Sequence, residues 1–358
     1  INTKGKRLGI FDLLMARLLN YGIQLRTCWD VCERTRPNIK RYYNKYEKIP
    51  VHILQAISLY YDTTHSCKGE DILDIYSNVY QDSPFNFNDH WEVFSEYIDR
   101  AIKQIENPVS GYGVRDEKSV PFIPMLTMIA ALFKHIDGVD DKALCYKKMD
   151  IWYWSSVFSN AYSSSADSTL SAHYKEMLEW FTNDDHTPSV VRKARREVDN
   201  LDLIRIKSNS SAMYRGVLSL LLLEHAMDFA EKKEVGHARD YHRYHIFPKR
   251  SILSSNYPID SILNMTWLTK TTNQRITKAK KPSIYFKELL SEKYSEREQD
   301  LLKVLNSHFI DRTGYELMLK DDEGFEQFLE HRQDLIKSKI KEKLGIPFTG
   351  IDTALIKP

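Results

Sequence analysis

The sequence is poor in cysteine and has no apolar run long enough for a membrane-spanning helix. Its 358 residues include four cysteines, too few for a disulfide framework, which predicts reduced thiols in a cytoplasmic protein. The densest apolar stretch, residues 217–226, is interrupted by Glu224 and is shorter than the roughly 18 apolar residues of a transmembrane helix. The first ten residues do not resemble a signal peptide. We therefore expect no membrane partner.

Two of the cysteines, Cys28 and Cys32, are four residues apart and would share one face of a predicted helix. A zinc site would need further ligands, and Cys67 with His65 is the nearest candidate pair. Zinc binding stays open here as an alternative to buried, reduced thiols.

The net charge of the sequence is small, but its basic residues are concentrated in one window. The formal net charge is only +2, yet from His237 to Lys287 ten basic residues stand against two acidic ones, a local charge of +8. A cationic window on a nearly neutral chain is typical of a phosphate-binding surface, with a solvated cationic face as the alternative. For a second basic cluster, Arg192–Arg196, we favour a solvated helix face over a second phosphate contact.

Hydrophobic periodicity predicts a mainly α chain that carries a small α+β island. Apolar residues recur at helical spacing over residues 11–31, 90–105, 121–133, 142–159, 169–181, 190–198, 213–230 and 291–344. Residues 240–247 and 261–268 have the character of strands, and residues 270–280 that of a helix capped by Thr271 or Thr272. We expect Trp267 to anchor the second strand on the helices.

The island holds residues suited to phosphodiester hydrolysis. His245 ends the first predicted strand of the stretch D-Y-H-R-Y-H-I-F-P-K-R-S, which begins at Asp240. Its unperturbed pKa near 6.5 suits a base that deprotonates water. Asn264, in the second strand, and Asn273, in the first turn of the helix, lie nine residues apart. We expect these three side chains to meet in one cleft, where an amide oxygen would suit Mg²⁺.

Four runs occur in the order of a known nuclease family: Y-H-I-F-P-K-R-S from Tyr244, then I-L-N-M-T, T-T-N-Q-R-I and K-P-S-I-Y. They resemble the HNH (ββα-metal) nucleases, most closely the C-terminal HNH domain of GmrSD-type restriction endonucleases. The Asn-to-Asn spacing is similar to that in the HNH domain of CRISPR effector nucleases. The resemblance implies that His245 is the general base, that Asn273 binds Mg²⁺ or Mn²⁺, and that Asn264 fixes the catalytic loop.

That resemblance predicts a divalent-metal-dependent DNA endonuclease of a modification-dependent restriction or anti-phage defence system. Its partner would be double-stranded DNA, with modified phage DNA as a candidate. By chemistry more than by motif, four cations would contact DNA phosphates: Lys249, Arg250, Arg275 and Lys278.

One position departs from the family. The residue before the base is usually a metal-binding Asp or His, and here it is Tyr244, whose neutral phenol is a poor Mg²⁺ ligand. Strand periodicity places Asp240 and His242 on the same side as Tyr244, so either could supply the missing ligand. A weak or degenerate metal site is the alternative.

The start of the chain carries a second resemblance. Residues 1–14 look like the late part of the ParB-like sensor domain that precedes the HNH module, on a pattern of five residues: Asn2, Gly5, Leu8, Phe11 and Asp12. The earlier D-G-Q-Q-R signature of that domain is missing from the sequence. We therefore expect the C-terminal portion of a longer protein, without its N-terminal sensor region, and carry over no nucleotide hydrolysis.

These observations predict four parts. Residues 1–85 would be the helical tail of the sensor domain, 86–230 a helical domain, 231–290 the HNH domain and 291–358 a C-terminal helical segment. Two alternatives to an active nuclease stay open. One is a catalytically degenerate HNH module that binds DNA, and the other is a helical interaction protein with an incidental ββα insert.

Overall fold

A computed structural model of the chain describes residues 9–75, 79, 87–236, 241–252, 254–279 and 281–347. In these ranges the chain forms sixteen α-helices and two β-strands, which confirms the mainly α class. No helix among the described residues combines the length and the apolar character needed to cross a lipid bilayer. The predicted division into four parts stays a prediction.

Eleven of the helices in the described ranges precede the two strands. They are α1 (Ile10–Leu19), α2 (Leu25–Thr35), α3 (Pro37–Tyr43), α4 (Ile49–Tyr61), α5 (Gly69–Leu73), α6 (Phe87–Glu106), α7 (Met125–Asp137), α8 (Lys142–Phe158), α9 (Ala166–Thr182), α10 (Ser189–Glu197) and α11 (Ala212–Leu223). The strands and the later helices are β1 (Tyr241–His245), β2 (Met265–Thr269), α12 (Lys270–Ala279), α13 (Pro282–Tyr294), α14 (Glu298–Asn306), α15 (Arg312–Met318) and α16 (Phe325–Lys343).

The helices before the strands share one aromatic-rich core. Helices α4, α6 and α7 pack on one another, and α8 packs on α7, α10 and α11. Trp91, Trp152 and Trp154 are almost fully buried in this core. Burying a large apolar side chain stabilises a fold by roughly 1.5–3 kcal/mol, so this core gives the strands a firm support.

The two strands form an antiparallel pair that rests on α11. Their register runs from Tyr241 opposite Thr269 to His245 opposite Met265. The indole nitrogen of the buried Trp267 donates a hydrogen bond to the backbone oxygen of Leu218 in α11, at 3.1 Å. Trp267 therefore anchors β2 on the helices, as expected. Helix α12 follows β2 without a loop and packs on both strands.

The single helix expected over residues 11–31 is wrong, because the chain forms α1 and α2 there. Residues 20–24 separate the two helices, and Gly22 lies among them with a φ of +78°. That left-handed conformation costs glycine nothing and is unfavourable for other residues. Phe11 and Asp12 lie in α1, whereas Asn2, Gly5 and Leu8 lie outside the described residues.

The second strand begins later than predicted. Residues Ile262–Asn264 form a 3-10 turn, whose preceding residue Ser261 accepts a hydrogen bond from the backbone nitrogen of Leu263. Asn264 therefore precedes β2 instead of lying in it. The expected cap of α12 is also wrong. The hydroxyl of Thr269 accepts a hydrogen bond from the backbone nitrogen of Thr272 at 3.1 Å, so the last strand residue caps the helix.

The cysteines do not form a metal site in the described part of the chain. All four are free thiols, and burial raises the pKa of Cys67 to about 12. The Cys67 thiol donates to the backbone oxygen of Asp167 at 3.1 Å, and the ring of His65 bonds to the backbone oxygen of Leu59. Among the described residues no group of three or more His, Cys, Asp or Glu could hold a metal ion. The zinc alternative therefore has no support here.

Candidate active site at the end of the first strand

The pairing of the strands decides which side chains share a face of the hairpin. Opposed residues of an antiparallel pair project to the same side. Arg243 and His245 therefore share a face with Met265 and Trp267, the face that meets α11. Tyr244 projects to the opposite face. A cavity of about 390 Å³ opens at this face, and its lining includes Lys207, Tyr214, Arg243, Asp260 and Met265 but not His245 itself.

His245 is hydrogen-bonded to a carboxylate. Its Nε2 lies 2.8 Å from Oδ1 of Asp260, and the ammonium of Lys249 lies 2.8 Å from the same oxygen. The His245 side chain is 21% exposed and that of Asp260 is 48% exposed. The pair is thus reachable from solvent, while the histidine is shielded enough for its surroundings to change its acidity.

Burial lowers the pKa of His245 below 6.5, and the nearby Asp260 opposes this shift only in part. The hydrogen bond from Lys249 is the main cause that lowers the pKa of Asp260. At neutral pH we therefore expect a neutral imidazole beside an ionised carboxylate. A carboxylate only accepts, so the ring proton lies on Nε2 and the lone pair on Nδ1. No described residue hydrogen-bonds to Nδ1, which leaves it able to accept a proton from water.

Asn264 binds the loop that follows His245. Its side chain is fully buried, and Oδ1 accepts a hydrogen bond from the backbone nitrogen of Phe247 at 2.8 Å. Its Nδ2 donates to the backbone oxygens of Phe247 at 3.1 Å and Ile259 at 3.0 Å. The backbone oxygen of Asn264 also accepts from the nitrogen of Ile246 at 2.8 Å. One residue thus holds both residues that follow His245.

Asn273 lies in the first turn of α12 and is half-buried. Its side chain makes no hydrogen bond to another described residue. The structure therefore joins His245 and Asn264 through the loop between them but shows no bond from either to Asn273. The predicted metal-binding role of Asn273 rests on the resemblance alone.

The described donors near His245 do not amount to a divalent-cation site. Asp260 is the carboxylate that contacts His245, and Lys249 already neutralises it. His242 is exposed, with its ring centroid 6.2 Å from that of Tyr244. Asp240 lies outside the described residues. A metal ion would thus need ligands beyond those that the described part of the chain brings together.

The four predicted phosphate-binding cations divide into two pairs. Lys249 bonds to Asp260, and Arg275 lies 2.6 Å from a carboxylate oxygen of Glu292. Arg250 and Lys278 are exposed and form no ion pair with any described residue. Arg250 and Lys278 can therefore bind a phosphate directly, whereas Lys249 and Arg275 would have to leave or share a carboxylate partner.

Asp260 is a residue that the sequence analysis missed. One signal was present, because Asp260 and Asp240 are the two acidic residues of the basic window. An acidic residue in such a window is a candidate partner for a nearby cation or imidazole. Its partner could not be named, because the loop that returns Asp260 to His245 depends on the contacts of Asn264.

A second missed residue, Asp228, ties β2 and α12 to the segment after α11. Its carboxylate is fully buried and accepts from the backbone nitrogen of Thr269 at 2.7 Å and from the hydroxyl of Thr272. It also accepts from the backbone nitrogens of Ala230 and Glu231, each at 2.9 Å. Four donors compensate for the burial of its charge.

Arg332 of α16 supports the hairpin by binding the residues at the start of β2. It is almost fully buried, and burial lowers its pKa to about 9. Its guanidinium donates to the backbone oxygens of Leu263 at 2.6 Å and Met265 at 3.1 Å, and twice to that of His308. The entry to β2 is therefore held by a cation bonded to carbonyl oxygens.

Comparison with known proteins identifies a similar protein but no activity. No family model matches the chain. The chain is similar to the uncharacterized protein MJ0686 of Methanocaldococcus jannaschii, with 32% identity over 368 residues. The alignment covers 96% of this chain and 61% of that relative. The chain thus spans about three fifths of the curated relative it matches, and the likeness extends over the helices and the hairpin together.

Proposed function

We propose that the chain is an HNH-type DNA endonuclease in which His245 acts as the general base. The observation that carries the proposal is the contact between His245 Nε2 and Asp260, which leaves Nδ1 as the basic nitrogen. The order of β1, β2 and α12 and the position of Asn264 support it, because each agrees with the resemblance to HNH nucleases.

The reaction would be hydrolysis of a phosphodiester. Nδ1 of His245 removes a proton from water, the water oxygen bonds to phosphorus, and the bond to the 3′ oxygen breaks. Solvent protonates the leaving oxygen. Asp260 holds the ring in the reactive tautomer and stabilises the imidazolium that forms. Asn264 is a positioning residue, since it holds the loop that fixes both His245 and Asp260.

A requirement for Mg²⁺ or Mn²⁺ belongs to the proposal only through the resemblance. The described donors do not form such a site, so no step is assigned to a metal ion. A role in a modification-dependent restriction or anti-phage system and a cytoplasmic location likewise rest on the resemblance and the sequence. Double-stranded DNA is the proposed substrate.

The test is cleavage of supercoiled plasmid by the 358-residue chain with Mg²⁺, with Mn²⁺ and with EDTA. General base catalysis contributes about 10²–10⁴-fold, so His245→Ala should lower the rate of nicking by at least about 100-fold. His186→Ala is the matched control, because His186 is an exposed histidine that bonds to Glu179 away from the hairpin. Cutting by His245→Ala at the wild-type rate would exclude His245 as the base.

A catalytically degenerate DNA-binding module is the second candidate. Two observations favour it over a metal-dependent nuclease: Tyr244 occupies the position of the usual ligand, and the described residues hold no cluster of metal ligands. It predicts salt-sensitive DNA binding with no cutting under any of the three conditions. Failure to bind DNA at low salt would exclude both candidates.

A further inference from the structure

A second cleft adjoins the cavity lined by Asp260. Its volume is about 470 Å³, and it shares Asn209 and Arg243 with that cavity. Five cations from separate parts of the chain line it: Lys45, Arg115, Lys118, Arg215 and Arg243. Asp116 is the one acidic residue of its described lining. The helical body therefore contributes four of the five positive charges next to the candidate site.

Four of these five cations lack the carboxylate partners that neutralise other cations nearby. Lys45, Lys118, Arg215 and Arg243 form no ion pair with any described residue. Nearby Arg41, in contrast, is bonded to both Glu106 and Glu117. The carboxylate of Asp116 accepts hydrogen bonds from the Lys118 backbone and the Ser119 hydroxyl. The cleft thus holds an excess of positive charge, which costs free energy until an anion enters.

The fold holds several of these cations in place. The guanidinium of Arg115 stacks over the Trp267 ring at 4.8 Å, and that of Arg243 lies 5.6 Å from the Tyr214 ring. Arg215 donates to the backbone oxygens of Val120 at 2.7 Å and Asn209 at 2.9 Å. The cations are thus positioned before any ligand binds, which lowers the entropy cost of binding.

Close packing keeps the Arg115 segment against α11. Gly113 has a φ of +65°, and a Cβ atom there would lie 2.6 Å from the backbone oxygen of Ser219. Only glycine allows this approach. Burial lowers the pKa of Arg115; Asp116 opposes this shift, and the like charge of Arg243 adds to it.

We propose that this cleft binds the phosphate backbone of the nucleic-acid strand on which His245 acts. The proposal rests on the proposed function and extends it, because it gives the helical body a role in substrate binding. Two observations favour a strand over a single small anion. The cations of the cleft come from four separate segments of the chain and not from one phosphate-binding loop, and the cleft shares Arg243 with the cavity lined by Asp260.

The test removes two cations that make no ion pair, by the double substitution Lys45→Gln and Lys118→Gln. Both side chains are exposed, so the fold should persist. The matched control is Lys147→Gln with Lys175→Gln, two exposed lysines of α8 and α9 outside the lining of the cleft. Binding of fluorescent single-stranded and duplex oligonucleotides is measured by anisotropy from 50 to 300 mM NaCl, in EDTA.

For two lost phosphate contacts, the slope of log affinity against log salt should become shallower by about 1.4 for single strands and 1.8 for duplex. At 0.1 M salt, this corresponds to about 25-fold and 60-fold weaker binding. The control should retain the wild-type slope. An unchanged slope in the cleft variant, or an equal loss in the control, would overturn the proposal.

The two proposals fail in different ways. His245→Ala should lower the rate of cutting by at least about 100-fold and leave the slope unchanged, whereas the cleft variant should have a shallower slope and a lower affinity. Loss of the slope in the cleft variant, without cutting by any form, supports the cleft and rejects the nuclease. Cutting that depends on His245, with an unchanged slope in the cleft variant, supports the nuclease and rejects the cleft.

Discussion

The chemistry of His245 depends on two neighbours with opposite effects on its pKa. Asp260 stabilises the imidazolium and raises the pKa, whereas burial and Lys249 lower it, and the balance is a pKa below 6.5. In the proposed reaction the neutral form of His245 is the base, so cleavage should be constant near pH 7 and should decline as the pH falls through the His245 pKa. The acid limb of the rate profile thus reports this one residue.

Asp260→Asn should shift that acid limb to lower pH and also lower the maximal rate. Loss of the carboxylate removes the interaction that raises the His245 pKa, and an amide can present its NH₂ group to Nε2 and leave the wrong nitrogen basic. We expect a rate reduction of about 10²-fold or more, within the range of general base catalysis. The measurement is single-turnover cleavage between pH 4.5 and 8.

The control is Asp185→Asn, which changes an exposed aspartate in the turn after α9. It should leave both the profile and the rate unchanged. A limb that moves to higher pH in Asp260→Asn would mean that the titrating group is not the histidine bonded to Asp260.

At the residue scale, the sequence indicated candidate residues by their type but did not indicate which residues contact one another. His245 and Asn264 could be selected because the chemistry of a base and of an amide is local. The Asp260 contact could not, since it depends on the bonds that Asn264 makes with Phe247 and Ile259. Lys249 and Arg275 were expected to face phosphate, and the structure places each beside a carboxylate.

The elements around the site are joined by buried polar groups more than by the hairpin itself. A two-stranded pair is marginally stable alone, and here Asp228 and Arg332 bind its two ends. The buried carboxylate of Asp228 satisfies two donors at the β2–α12 junction and two after α11. The position of α12 therefore depends on a residue far from it in sequence.

Asp228→Ala should lower the free energy of unfolding by about 3 kcal/mol or more. The substitution leaves the buried backbone nitrogen of Thr269 and the hydroxyl of Thr272 without their acceptor, at about 1–3 kcal/mol each. Urea denaturation followed by tryptophan fluorescence measures the change. Asp334→Ala, an exposed aspartate on α16, should change stability by less than about 0.5 kcal/mol. Equal stability of the two variants would contradict this role.

Hydrophobic periodicity predicted most helices and strands but misplaced some of their boundaries. Alternating aromatic and polar residues indicated β1 correctly, and the apolar spacing of residues 90–105 indicated α6. The start of β2 was misplaced because Ser261 nucleates a 3-10 turn that apolar content cannot distinguish from a strand. Gly22 divided a predicted helix because its left-handed backbone conformation, which the lack of a side chain permits, changes the chain direction there.

At the scale of the whole molecule, three buried histidines link stability to pH. His52 in α4, His173 in α9 and His308 after α14 are each buried, and burial lowers each pKa to about 4. Each is hydrogen-bonded in its neutral form, for example His308 to Met227 and Thr266. These sites lie in separate parts of the fold, so protonation would weaken the core at several places at once.

Acid should therefore destabilise the protein between pH 6.5 and 4. In this window the unfolded chain, with histidine pKa values near 6.5, binds more protons than the folded one, so the free energy of unfolding falls as the pH falls. At pH 5 each histidine lowers the free energy of unfolding by about 2 kcal/mol relative to pH 7, and the three together lower it by about 6 kcal/mol. Urea denaturation at both pH values measures the difference. His308→Gln should reduce it by about 2 kcal/mol, and the exposed-site control His186→Gln should leave it unchanged. A stability that is equal at pH 7 and pH 5 would mean that these rings are not held neutral by the fold.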